Sequence, residues 1–459
     1  MKRDFGAYIY NKVWVLLVLL LAATGCSAGA EQENVELEKG EAEHTLVMYM
    51  LANNNLEMSI FNNVLDAEEG MVGAMPSTRL LIYLDKRTET TLYEVSYLPY
   101  GADNHIKQCK VLKSYPQQTS TTPQVMRSVM EDVKVLAPSK SYGLVLAGHG
   151  TGWFPKPSSG TSYDQQKVAP MMGVGVNGGW QSEYFFGYER FMEPETRAMG
   201  YDLVAQEDGT FARTDESFIS AAEIVEGISP IHFDYIIFDA CFMSSIEFLY
   251  DMRHSADYIL ASPVEVLGVG LPYTPIVGNL MSPRHNLGAM CDLIKDVYVR
   301  DNEFSVRKSL ALALIDCAQL EPLADIVAEI YRSVEEGDYQ TTIAKRIDME
   351  RLQPLDRMLP PAFYDFEDFV CELAGEGELR ERFLEQLAKV VVDVEHTEDI
   401  YSIGYTPDGM IMGYENIEKK IDGVLDLCGI NTYVPFRNVP VTLSHYFQTD
   451  WAKKVYNME

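Results

Sequence analysis

Four segments of this chain are apolar without alternation: Thr45–Leu51, Thr78–Asp85, Tyr142–Ala147 and Phe233–Asp239. A strand with one wet face alternates polar and apolar residues, whereas a strand apolar on both sides has to be covered on both. Between these runs lie helical patterns with capping residues. One leads from Asn53-Asn-Asn-Leu-Glu57 through Glu69, and another spans Pro123–Leu136 behind Thr121 or Thr122. Two more cover Thr214–Gly227, with Thr214 as cap, and Ser244–Arg253. Tyr258–Ser262 reads as a further strand, and Thr91–Pro99 with Ile106–Ser114 as a hairpin. Strands alternating with helices predict an α/β fold with a mostly parallel central sheet.

Two of the buried runs end in residues that do covalent chemistry. The first breaks on glycine and presents His149 between Gly148 and Gly150; the second stops at Cys241. Parallel strands bring their C-terminal ends to one edge, where open α/β sheets bind ligands. His149 and Cys241 are therefore expected to meet there, the arrangement a thiol nucleophile and its proton acceptor need. Cys241 is expected at the start of the following helix, whose amides favour a thiolate. The backbone N–H groups of Gly150 and Cys241 are candidate oxyanion donors. A buried cysteine after a strand and a histidine in a glycine turn are each more often structural. The pairing of the two is the informative signal.

The bulk numbers fit an exported globular protein. At 459 residues, two domains or one enlarged α/β domain is expected. A net charge of −31 repels phosphates and argues against a nucleic-acid partner. Lys2, Arg3 and Lys12 precede the apolar run Val13–Ala23, followed by Ala23-Thr-Gly-Cys26. This predicts a signal peptide over 1–26, and its last residue resembles a bacterial lipobox cysteine. Cys26 is thus the expected lipidation site, 27–43 a flexible tether, and the Gram-negative outer membrane the expected location. The other six cysteines are widely spaced and read mostly as buried thiols. No metal-ligand spacing is visible, so no metal or other cofactor is expected. The core is assigned to 44–285, with a patternless glycine- and aromatic-rich insert at 153–213. Residues 286–459 form a C-terminal region of mainly helical texture, with strand patterns at Tyr401–Ile411 and Ile430–Phe436.

The pieces Leu51-Ala-Asn-Asn-Asn-Leu-Glu57, Leu144-Val-Leu-Ala-Gly-His-Gly-Thr-Gly-Trp153 and Ile237-Phe-Asp-Ala-Cys-Phe-Met243 occur in order. Ile259-Leu-Ala-Ser-Pro-Val-Glu265 and Gly270-Leu-Pro-Tyr273 complete the set. Together they resemble the clostripain-like cysteine peptidases. The resemblance implies a caspase-like α/β/α sandwich, with His149 as general base, Cys241 as nucleophile and no third catalytic member. It places Asp239 in a pocket for a substrate Arg or Lys, with Glu265 as a second acid. Ser262-Pro-Val264 stands where family members often carry acidic residues, which loosens the implied basic preference. Protein or peptide substrates follow, as does self-cleavage in the insert, where Lys156, Lys167, Arg190, Arg197 and Arg213 are the basic residues. Some relatives depend on calcium, but no calcium site is readable here. The alternative is a catalytically silent binding lipoprotein on the same fold.

Overall fold

The computed structural model describes residues 40–71, 77–100, 104–153, 199–200, 204–205, 211–212, 218–302, 304–305, 307–357, 361–405, 411–418, 425–434 and 445–457. The leader, Cys26, the tether and all five basic residues of the insert lie outside these. From Glu41 onward the chain forms one compact unit.

Five parallel strands make the centre of a nine-stranded sheet: β1 (His44–Leu51), β2 (Thr78–Asp85), β5 (Tyr142–Ala147), β6 (Phe233–Asp239) and β7 (Ala256–Ala261). Their order is β7-β6-β5-β1-β2. The antiparallel hairpin β3 (Thr90–Tyr100) and β4 (Asn104–Tyr115) extends one side. On the other side stand β8 (Ala311–Asp316) and β10 (Val391–His396), both antiparallel and both supplied by the C-terminal region. That region is therefore part of the sheet as well as helical. Its strand β8 is nearly fully buried and β10 runs straight on from a helix, so neither carries a local start signal.

Continuous apolarity has the consequence expected of it. Val47, Tyr49, Leu144, Leu146, Ile236 and Phe238 point into one core; Leu46, Met48, Val145, Ile237 and Leu260 point into the other. The second core is covered by α1 (Glu57–Gly70) through Ile60, Val64 and Ala67, and by α5 (Tyr273–Leu280) and α6 (Leu287–Arg300). The first is covered by α2 (Pro123–Leu136), α3 (Ala221–Ile228) and α4 (Ile246–Met252), with α7 (Leu320–Val334) beyond them. Burial of each such side chain contributes roughly 1.5–3 kcal/mol before entropy is charged against it. Thr122 caps α2. Ser220, rather than Thr214, caps α3, through a capping box with Glu223.

The remaining C-terminal elements are α8 (Tyr339–Arg346), β9 (Phe363–Asp365), α9 (Phe366–Ala374), α10 (Glu378–Val390), the hairpin β11 (Tyr401–Tyr405) and β12 (Ile411–Asn416), β13 (Asn431–Tyr433) and α11 (Asp450–Tyr456). The aromatic tail packs down, with Tyr446 and Trp451 fully buried. Among the described residues all six cysteines are free thiols; Cys291 and Cys317 are buried, whereas Cys109 is exposed. Cys371 and Cys428 are half-buried, so burial of the thiols is less general than the sequence suggests. No helix among the described residues is long and apolar enough to cross a membrane.

Candidate active site

Register places the ends of three neighbouring strands side by side: Met50 of β1 faces Ala147 of β5, and Ala147 faces Asp239 of β6. The loops that leave these strands, and the one that leaves β7, gather at one edge. The connection from β1 runs to β2 and that from β5 to β6, in opposite directions along the sheet, so a crevice opens between β1 and β5.

His149 and Cys241 both line that cleft, shared with Asp239, Glu265, Ser59, Asn63, Ile403 and Tyr414. Glycine is what lets the two loops approach. A Cβ on Gly150 would lie 2.4 Å from the Cys241 carbonyl oxygen and 2.9 Å from Ala240 Cβ, distances no side chain tolerates. Gly150 thus packs behind Cys241 and, unlike Gly148 and His149, is not among the cleft-lining residues.

The imidazole of His149 is buried, and its Nε2 lies 2.8 Å from Oδ1 of Asn55. Asn55, itself exposed, comes from the loop between β1 and α1, which leaves the strand next to β5 in the sheet. A partner for the histidine was not expected from the sequence. The run Asn53-Asn-Asn55 read only as a turn and cap, whereas its position after the strand beside β5 is the signal that points to the site.

Cys241 is half-buried in a turn, not at a helix end: α4 starts five residues later at Ile246, capped by Ser245. Helix amides therefore do not act on this sulfur. The turn is held open by strain instead. Phe242 adopts φ 61°, a left-handed conformation that bulky residues avoid. Three contacts sustain it: its N–H donates to the Val264 carbonyl at 2.9 Å, its ring stacks on Phe363 with centroids 4.8 Å apart, and Ser244 N–H donates to Ser262 O. Ser262-Pro-Val264 is thus occupied in bracing the nucleophile turn. The Cys241 sulfur accepts the Val266 N–H at 3.3 Å, and its thiol faces the Val266 carbonyl at 3.5 Å. Burial, reinforced by the negative charge of Glu265, pushes the thiol well above its ordinary range.

Asp239 ends β6 and is buried at the cleft floor; its Oδ2 accepts from Leu271 N–H at 3.1 Å and from the Tyr273 hydroxyl at 2.8 Å. Burial raises its pKa, and the two donors oppose that rise. Gly270, at φ 67°, keeps the space open: a Cβ there would fall 2.7 Å from both Asp239 Oδ2 and Asn63 Oδ1. Asn63 and Ser59 of α1 complete this polar end of the cleft and were missed in the sequence, where they read as part of an amphipathic helix. Glu265 also lines the cleft, but its Oε1 is engaged by the Ser402 hydroxyl at 2.6 Å and the Ile403 N–H at 3.0 Å. Burial raises this carboxyl to about 7. Among the described residues no group of His, Cys, Asp or Glu is arranged to hold a metal ion.

The chain is similar to known cysteine proteases in family and in fold. The sequence model of the Clostripain family matches residues 185–399, a span that contains Asp239, Cys241 and Glu265 and begins downstream of His149. A secreted C11 cysteine protease from Bacteroides thetaiotaomicron superimposes with a TM-score of 0.65 at 25% identity, over 90% of this chain and 99% of that one. An inactive zymogen C11 protease from Parabacteroides distasonis shares the fold, with a TM-score of 0.67 at 24% identity over 90% and 98% of the two chains. No curated protein sequence matches the chain.

Proposed function

We propose that this chain, which belongs to the clostripain family of cysteine peptidases, cleaves peptide bonds with Cys241 as nucleophile and His149 as general base, after a basic residue seated against Asp239. The observation that carries the reading is the convergence of His149 and Cys241 on one cleft, from loops that touch at Gly150. If Nε2–H donates to Asn55, the lone pair sits on Nδ1, the nitrogen that takes the thiol proton. Sulfur then bonds to the scissile carbonyl carbon. The C–N bond breaks as the imidazolium returns its proton to the leaving amine, and water, deprotonated by His149, hydrolyses the thioester. The backbone amide of Cys241, which lines the cleft, is assigned to the oxyanion.

A thiol-directed peptidyl electrophile ending in Arg or Lys tests this reading directly. Intact-mass and peptide mapping are expected to find one adduct, on Cys241, and His149→Ala is expected to suppress it. Labelling spread over the other cysteines, with Cys241 unmodified, would sink the proposal. The protease from Bacteroides thetaiotaomicron is described as secreted. We extend export to this chain, with Cys26 lipidated at the outer membrane. Palmitate incorporation should disappear in Cys26→Ala; unchanged incorporation would refute the anchor.

A further inference from the structure

We propose that the C-terminal hairpin β11–β12 is the outer wall of the substrate cleft, and that Ile403 and Tyr414 on it select an apolar side chain at a substrate position flanking the basic one. The proposal rests on the peptidase reading above and deepens it. Ile403 and Tyr414 lie more than 130 residues beyond Glu265 in sequence, yet both line the cleft that holds His149, Cys241 and Asp239. With Leu56, Ile60 and Leu267 they supply large apolar side chains to a lining that also carries Asp239, Asn63 and Ser59. One cleft therefore offers a carboxylate-lined subsite and an apolar one.

The hairpin is registered to the nucleophile by a short chain of contacts. Glu265 Oε1 accepts from Ser402 and from the backbone of Ile403, and the next residue, Val266, donates its N–H to the Cys241 sulfur. Two further contacts fix the hairpin from outside and one closes its base. Tyr401 N–H donates to Ser309 Oγ at 2.9 Å, Ile417 N–H to the Ile400 carbonyl at 2.9 Å, and Arg357 pairs with Glu415 at 2.7 Å. The guanidinium of Arg307 stacks over the Tyr414 ring, 4.6 Å from its centroid, which holds that ring in one orientation. A wall anchored to Glu265, Ser309, Arg357 and Arg307 behaves as a preformed subsite, and a preformed apolar subsite discriminates between side chains by roughly tenfold to two-hundredfold. Glu265 in this account is a positioning residue for the wall and not a substrate ligand.

The test uses peptidyl electrophiles with Lys at the terminal position and Leu, Ala or Glu at each of the next three. The second-order rate of Cys241 modification is read by intact mass. The full chain is expected to prefer Leu over Glu at one of these positions by at least about tenfold. Tyr414→Ala and Ile403→Ala, each checked for folding by its melting curve, are expected to collapse that ratio to within about threefold. Ser402→Ala, which removes one donor to Glu265, is expected to reduce it part-way. A Leu-to-Glu ratio that both variants retain, or that the unmodified chain never shows, overturns the wall and leaves the nucleophile assignment standing. Failure of every peptide to modify Cys241, while iodoacetamide does so, overturns the dyad reading and this proposal with it.

Discussion

Replacing Cys241 by alanine is expected to abolish peptide hydrolysis, and replacing His149 by alanine to lower kcat by about three to six orders of magnitude. Residues that act as one unit lose nearly the whole chemical term when either is removed. The resting state makes the dependence on His149 steep. Desolvation of the half-buried thiol and the nearby Glu265 both oppose its ionisation, and the helix expected to supply stabilising amides begins five residues beyond it. Attack requires the thiol to lose its proton, and the imidazole that shares the cleft is the group assigned to take it. Asn55→Ala belongs to the same experiment and should cost less, about 10–100-fold in kcat with KM little changed, because it frees the ring orientation without removing the base. Steady-state kinetics on an Arg or Lys reporter decide the matter. A His149→Ala enzyme that retains more than about a tenth of wild-type kcat would mean that proton transfer runs through another group.

How much of this was legible before any coordinates follows from where each signal resides. A strand apolar on both faces carries its burial in its own letters, so β1, β2, β5 and β6 could be read directly, and with them the strand ends that present His149, Asp239 and Cys241. Helix starts were less certain because capping letters are degenerate. Thr214 and Ser220 both satisfy the rule, and only Ser220 has Glu223 three residues on to close the box. Strand β8 carries an apolar run, Leu310–Ile315, but no flanking turn signal in the reading, and β10 continues a helix without a break at Val390 and Val391. Asn55 and Asn63 were hidden for another reason. Their side chains have a role only because β1 lies beside β5, a fact of strand order and not of local sequence. The contribution of Ser402, Ile403 and Tyr414 was not readable at all, since the bond from Ser402 to Glu265 spans 137 residues and leaves no periodicity behind.

Converting Asp239 to asparagine is expected to abolish the charge preference of the cleft while leaving its shape. In the folded chain Oδ2 already receives two hydrogen bonds, from Leu271 N–H and the Tyr273 hydroxyl. An amide oxygen at the same place keeps both, so Asp239→Asn is expected to fold; alanine, which leaves those donors unsatisfied, is the poorer probe. What asparagine removes is the charge. Losing one partner of a desolvated ion pair costs about 2–5 kcal/mol, so kcat/KM for Arg and Lys substrates should fall by roughly 30- to 4,000-fold. Substrates with norleucine or citrulline at the same position should change by less than about tenfold, since they never engaged the charge. The pH dependence follows with a definite sign. Burial raises the Asp239 carboxyl above the ordinary aspartate value, so in the free enzyme it is neutralised at a higher pH than an exposed one. The acid limb of kcat/KM for cationic substrates should therefore begin above that ordinary value and be lost as pH falls through the raised pKa. It should be absent from the norleucine profile and from Asp239→Asn. An identical acid limb for both substrate classes would assign it to His149 alone, and an unchanged Arg-to-norleucine ratio in Asp239→Asn would remove Asp239 from substrate recognition.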